Sequence, residues 1–240
     1  MSDVSAVRKD RDAWWQTKIG AYLLKQECAV LKEILPTVFG YYLVQSGCWG
    51  PPGALMETSP IRTRLIVGDC GAEGAGITGD PCYLPFTSDA VDAVLLPHTL
   101  EQVTEPEQVL REAERVLRGE GRVLVLGFHP LGPWGLMRHF RRRPEWDGRF
   151  LSVGRLKVWL AVLGFEVVDV KHLVYRPPWR SRLMLVRSAF LDRLAWRATA
   201  GVYLVVAKKR VFGMTPLQKR RTRPQPSFSG VARPTTRSMQ

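Results

Sequence analysis

The residues best placed to do chemistry lie between Gly79 and Glu101, in the stretch GDPCYLPFTSDAVDAVLLPHTLE. Asp80 follows a glycine at the expected end of a strand. A Leu84-Pro85-Phe86 turn then leads into the apolar run Val91 to Leu96, which Pro97, His98 and Glu101 close. In an open α/β sheet ligands bind at such strand ends, so the acids and the histidine there are candidates for a binding and catalytic rim. Histidine titrates in the range that suits a general base, and His98 is the candidate for that role. The alternative reading of His98 is a turn residue bonded to nearby backbone. Glu101 either orients His98 or starts the following helix, and the second is preferred. Asp92 reads as a strand-edge or capping acid. His129 is a lesser candidate for a base, since a turn before Pro130 is reason enough for it.

A second constellation precedes this one. The strand expected over Tyr41 to Gln45 runs into Ser46-Gly47-Cys48-Trp49-Gly50-Pro51-Pro52-Gly53. Glycine lets backbone approach a ligand, and a proline-started helix after it would offer its N-terminus to a carboxylate or phosphate. An ordinary tight turn accounts for the same residues. Asp69 ends the next strand, Arg64 to Val67, roughly 20 residues past Gly47, the interval at which Rossmann-type sites place an acid on ribose hydroxyls. A surface turn competes with that reading.

The elements that must position these residues alternate. Apolar positions at Trp15, Ile19, Tyr22, Leu23, Val30, Leu31 and Ile34 predict a helix over residues 12 to 35, stopped by Pro36 and Gly40. Ile77 to Asp80 is a third short strand candidate. Thr104 and Glu107 form a capping box for a helix with Leu110, Ala113 and Leu117 on one face and Gly119 as its stop. Arg122 to Phe128 follows as a buried strand, and strand, helix, strand in this order implies a right-handed crossover and a parallel sheet. Ser152 caps another helix, with Leu156, Trp159, Leu160 and Leu163 inward and Gly164 as the stop. Strands are expected over Phe165 to Val170 and Gly201 to Ala207. Residues 131 to 150, with Trp134, Arg138, His139 and Arg141 to Arg143, lack periodicity and read as a loop that carries specificity. Residues 180 to 198 read as a cationic amphipathic helix, either a lid over the substrate or a segment lying on an anionic membrane surface, and the lid is preferred because the segment sits between the last two strands.

Composition sets the outer limits. The chain has 240 residues and a net charge of +13, from 35 basic and 22 acidic side chains. Eight of the basic residues and no acid fall in residues 209 to 240, a tail rich in Pro, Ser, Thr and Arg that is expected to be disordered. Such a tail can touch nucleic acid or an anionic surface without sequence preference, although a solvated appendage is the preferred reading. One domain over residues 1 to 210 and a tail over 211 to 240 follow from this. No apolar run is long enough to span a membrane, and the N-terminus lacks the apolar core of a secretory signal. Cys28, Cys48, Cys70 and Cys82 show no paired spacing, so the expectation is free thiols in a reducing cytoplasm and no metal site.

Three segments in order carry a family resemblance. Gly79-Asp80-Pro81-Cys82-Tyr83-Leu84-Pro85-Phe86, then Val91-Asp92-Ala93-Val94, then Leu110 to Arg122 (LREAERVLRGEGR) resemble the class I S-adenosylmethionine-dependent methyltransferases of the type 11 kind. The resemblance covers roughly Leu43 to Val170. It implies a Rossmann-like α/β fold with a seven-stranded, mostly parallel sheet, helices on both faces and one antiparallel strand near an edge, matched here by Gly201 to Ala207. It further implies that Asp80 meets the adenine amino group beside Leu84, that Asp69 holds the ribose, and that Gly47 lets the backbone approach the methionine end of S-adenosyl-L-methionine.

The chain departs from the family in its glycine loop. Gln45 stands where members carry an acid, Trp49 stands at the second glycine and Pro51 at the third. Gln45 can hydrogen-bond but carries no charge, and Trp49 crowds the backbone approach unless the loop takes another path through Gly50. The activity implied is methyl transfer to an unidentified acceptor, with His98 as the base if the acceptor holds a proton. The alternative is a methyltransferase-like scaffold without transfer activity that binds nucleic acid or an anionic membrane surface through its tail.

Overall fold

The computed structural model describes residues 16–68, 76–130, 132, 149–173 and 201–211. Helix α1 spans Lys18–Ile34, with the Thr17 side chain accepting the Gly20 N–H at its start and Pro36 in the 3₁₀ turn that ends it. Leu23, Leu31 and Ile34 are buried, as their helical spacing requires. Glu27, one turn from Leu23 and one from Leu31, falls on the same stripe and is also fully buried.

Six strands follow: β1 (Tyr42–Ser46), β2 (Thr63–Val67), β3 (Val91–Pro97), β4 (Leu117–Phe128), β5 (Phe165–Leu173) and β6 (Val202–Lys209). They form one sheet in the order β2-β1-β3-β4-β6-β5. The first four are parallel, and β6 runs antiparallel to both β4 and β5. This is the mostly parallel, Rossmann-like arrangement expected, with the antiparallel member at the end of the chain. Among the described residues there are six strands rather than seven. The third candidate, Ile77 to Asp80, contributes only isolated bridges, a parallel one between Ile77 and Val67 beside β2 and an antiparallel one between Asp80 and Tyr83, and Gly79 and Pro81 are poor residues for extending it.

Alternation along each strand separates two cores. One face of the sheet presents Leu43, Ala93, Leu95, Leu124, Leu126, Leu204 and Val206 to α1. The other presents Val44, Val94, Leu96, Val123, Val125 and Val205 to helices α3 (Pro106–Val116) and α4 (Val153–Val162), with the short α2 (Thr99–Gln102) between β3 and α3. Helices thus cover both faces.

Two local expectations are corrected. Thr104 does not cap α3: the N-cap residue is Glu105, without a side-chain bond, and Pro106 supplies the preset first turn. Gly119 does not stop that helix. The helix gives way directly to β4 at Leu117, and Gly119 to Gly121 lie in an irregular part of the strand where Glu120 has φ 70° and the register against β3 shifts. By contrast Ser152 caps α4 and Gly164 ends it at φ 80°, both as expected.

Asp92 is the capping acid it resembled. Its Oδ2 accepts the N–H groups of Tyr41 and Tyr42 at 2.7 and 2.9 Å, anchoring the start of β1 to β3, and Arg118 pairs with Oδ1 at 3.3 Å. Replacing it by alanine leaves two donors unmet, so Asp92→Ala is expected to lower the unfolding free energy by about 1–3 kcal/mol in urea titrations.

Candidate active site

The carboxyl ends of β1, β3 and β4 converge with the loops that leave them. After β1 the chain turns at Gly47, whose φ of 98° lies in the left-handed region and whose N–H donates to the Val67 carbonyl at 2.8 Å. A Cβ at this position would stand 2.7 Å from Thr99 Oγ1. That hydroxyl in turn donates to the Ser46 carbonyl at 2.5 Å, so the loop is drawn against the start of α2 and only glycine fits. Gln45 is buried. Its amide Nε2 donates to the Gly47 carbonyl at 3.0 Å, while Gln45 Oε1 and the Ser46 hydroxyl are buried without a partner among the described residues.

Trp49 does not crowd this approach. The loop passes through Gly50 at φ 71° and turns Trp49 inward, leaving it 6 % exposed in the core beneath the strand ends. No α-helix follows the loop. Pro51 to Gly53 lead into a 3₁₀ turn at Ala54–Met56, too short to present a helix N-terminus, so the proline-started helix is not formed.

His98 follows β3 in a left-handed conformation, φ 53°, a strained state for a non-glycine residue that turns its ring into the same interior. The ring is 1 % exposed and stacks against Trp49 and Phe128, with centroids 4.2 and 4.1 Å away. Its Nε2 lies 2.9 Å from Glu27 Oε1 and its Nδ1 3.1 Å from Glu101 Oε2. The second oxygen of Glu27 accepts the Trp49 indole N–H at 2.9 Å, and the second oxygen of Glu101 accepts the Phe128 N–H. Burial alone would push the imidazole down, but the Glu101 and Glu27 carboxylates outweigh it and raise its pKa to about 9. The ring is therefore an imidazolium at neutral pH, donating from both nitrogens. Burial raises the Glu101 carboxyl above its usual range, against the opposing pull of His98 and the Phe128 N–H.

The Asp80 turn is built separately. Asp80 is exposed, and its Oδ1 accepts the Cys82 N–H at 2.8 Å while its carbonyl accepts the Tyr83 N–H at 2.9 Å. Leu84 anchors this turn from within. Its side chain is buried in the core on the α3 face, its N–H donates to Glu112 Oε1 at 2.9 Å, and its carbonyl accepts from Arg115 at 3.1 Å. Arg115 bonds Glu112 at 2.6 Å, and that bond holds the Glu112 carboxyl below its usual range. The third sequence segment thus clamps the first.

The structure brings Gly47, His98 and Glu101 to one end of the sheet and sets Asp80 and Leu84 on the neighbouring turn. Asp69 lies outside the described residues, as do Trp134, Arg138, His139, Arg141 to Arg143, the segment 180 to 198 and the tail from residue 212. His129 ends β4 with its N–H on the Gly201 carbonyl, and burial lowers its pKa. Glu27, Glu112 and Arg115 were not singled out from the sequence. Glu27 carried a signal nonetheless, being an acid on the apolar stripe of α1. One expectation about the cysteines is overturned: Cys28 and Cys82 are free, but Cys48, in the glycine loop, is disulfide-bonded. The thiol argument for a reducing compartment therefore lapses.

Comparison with known proteins gives the same picture from outside. A methyltransferase domain model matches residues 68–125, which hold β3, α3 and most of β4. The Escherichia coli protein YafS is 31% identical over 219 residues, covering 89% of this chain and 88% of YafS. The chain belongs to the class I S-adenosylmethionine-dependent methyltransferases. A crystal structure of such a methyltransferase from Thermotoga maritima, a possible histamine N-methyltransferase, superposes with a TM-score of 0.62 at 20% identity, over 85% of this chain and 95% of that one. The ubiquinone/menaquinone C-methyltransferase UbiE of Roseobacter denitrificans is 42% identical over 77 residues, 29% of this chain and 31% of that protein.

The residues present fit the family's cofactor, S-adenosylmethionine. Gly47 keeps clear the space a Cβ would fill, Gln45 Oε1 and Ser46 Oγ are buried acceptors in want of a donor, and Asp80 stands exposed on its clamped turn. None of the described helices is long and apolar enough to cross a membrane.

The His98 cluster gives stability a pH dependence of known sign. With the folded-state pKa raised from 6.5 to about 9, the stabilisation from the protonated ring is complete below pH 6.5 and is lost as pH rises toward 9. Urea midpoints are expected to fall across that window. His98→Asn should remove that part of the slope and cost about 3–5 kcal/mol by stranding two buried carboxylates.

Proposed function

We propose that the chain is a methyl-transferring enzyme in which Gly47 and Gln45 receive the methionine end of S-adenosylmethionine and Asp80 its adenine, with Asp69 as the ribose acid. The observation that carries this reading is the Gly47 turn, pressed against Thr99 so that no side chain is tolerated, beside the Asp80 turn that Glu112 and Arg115 clamp. The cofactor supplies a methyl carbon activated by sulfonium charge, and the protein's work is to bind, orient and exclude water. The acceptor reaches the methyl group over the ends of β3 and β4, where Phe150 is packed on Phe128 and His129 is half-buried.

His98 serves this site from behind. Both ring nitrogens are committed to carboxylates, and a protonated ring cannot accept a proton, so it is a positioning residue rather than the base first expected. An acceptor that must lose a proton would pass it to His129 or to water. The quinone-type acceptor named for UbiE is not carried over, because that likeness covers under a third of the chain.

Titration calorimetry with S-adenosylmethionine and S-adenosylhomocysteine tests the reading. Binding of both is expected, and Gly47→Val should abolish it. Asp80→Ala should weaken it about tenfold, the size of one or two lost hydrogen bonds, without lowering the melting temperature by more than a few degrees. No binding of either molecule at millimolar concentration would sink the proposal. Binding without transfer to any acceptor would turn it toward the scaffold reading.

A further inference from the structure

The reading above gives one group of buried charges a positioning role and leaves its net charge without a task. Glu27, His98 and Glu101 are all within the core, 0 %, 1 % and 5 % exposed. With both carboxylates and the imidazole ionised, the group carries one negative charge in excess. No Lys or Arg among the described residues is paired with it; Glu27 and Glu101 form ion pairs only with His98. A net charge in such surroundings is costly unless something balances it.

Among the described residues, the other elements packed around the group supply no balance. Cys28, beside Glu27 on α1, is held neutral by burial and by Glu27, and the Tyr203 phenol on β6 is raised well above its usual range by burial and by Glu101. Trp49 and Phe128 contribute one N–H each. Arg149 is exposed and reaches Glu101 only with its backbone N–H, and His129 is made less basic by burial.

What the group does touch is the cofactor loop. Trp49 of that loop bonds Glu27 directly, and Thr99, next to His98, is the residue against which Gly47 packs. Gln45 brings no charge to this loop. A ligand seated at Gly47 therefore sits above an anionic floor.

We propose, resting on the methyltransferase reading, that Glu27, His98 and Glu101 form a buried anionic triad that acts as counter-charge for the sulfonium of the methyl donor. The site thereby discriminates the cationic donor from its neutral thioether product. His98 holds the two carboxylates apart in fixed positions, and the excess charge is drawn toward the loop. Once the methyl group has left, the sulfur is neutral and the floor no longer holds it.

The sign of the pH effect follows. A proton on Glu101 cancels the excess charge, so donor binding must expel it. Affinity for S-adenosylmethionine should rise with pH above the ordinary carboxylate range, while S-adenosylhomocysteine, which has the same amino and carboxyl groups, should lack that component.

Calorimetry on the full chain between about pH 5 and 7.5, in buffers of different ionisation enthalpy, compares the two ligands. The expected result is proton release with S-adenosylmethionine in excess of that with S-adenosylhomocysteine. Glu101→Gln and Glu27→Gln should each weaken the donor about tenfold and the thioether less than about twofold. An analogue bearing an amine in place of the sulfonium should follow the donor. Parallel pH profiles for donor and thioether in the unaltered protein overturn the proposal, and that comparison stands even if neither variant folds. Equal losses for both ligands in a folded variant overturn it as well. Failure of both ligands to bind the unaltered protein instead removes the methyltransferase reading, and this proposal with it.

Discussion

An imidazolium held between two buried carboxylates is the constraint on which this end of the molecule depends. Glu27 comes from the first helix, Glu101 from the short helix after β3, and His98 from the turn between strand and helix. Trp49 joins through Glu27 and the end of β4 through the Phe128 N–H, so one hydrogen-bonded unit ties four separate stretches of chain. Each carboxylate alone would be prohibitive in this core. Together with the ring between them they become a directional fastening, because the bonds are short, charged and shielded from water.

That fastening also explains why an unusual glycine loop is compatible with the fold. A tryptophan replacing a glycine would ordinarily be expected to obstruct the space above the strand ends. Here its ring is consumed by the interior, as a lid on His98 and a donor to Glu27, and the turn at Gly50 gives the backbone the path to put it there. The second fastening, Glu112 with Arg115, acts on the far side of the site by the same logic. It grips the Leu84 peptide group at both its N–H and its carbonyl, fixing the turn that presents Asp80.

Much of the framework was legible before any coordinates. The apolar runs of β3 and β4 and the capping serine of α4 with its terminal glycine report local physics that a linear sequence records, whereas the antiparallel last strand was implied by the family resemblance. Asp92 as a capping acid was readable for the same reason. Within the candidate site the sequence drew attention to Gly47, Asp80, His98 and Glu101, but not to how they pair. One partner of His98 lies 71 residues upstream, and nothing in periodicity says which acid on a stripe has turned inward. Glu27 looked like an ordinary charge between apolar positions until its two neighbours one turn away were seen to be buried. The capping box at Thr104 failed for a simpler reason, that a proline at the helix start does the same work.

The place of β6 has a consequence for how the chain comes into being. The last of the described strands inserts between β4 and β5, both made before it, and supplies Val202, Leu204 and Val206 to one core and Tyr203 and Val205 to the other. Until that segment has been synthesised, β4 and β5 have no partner on their facing edges and both cores lack a wall. The β1 to β4 half can pair as it emerges, whereas closure of the sheet waits for nearly the whole polypeptide. A nascent chain stalled before residue 202 would expose two open strand edges of the kind that recruit chaperones or each other. Closure of the sheet thus depends on β6, and the core beneath α1 is complete only when that strand arrives.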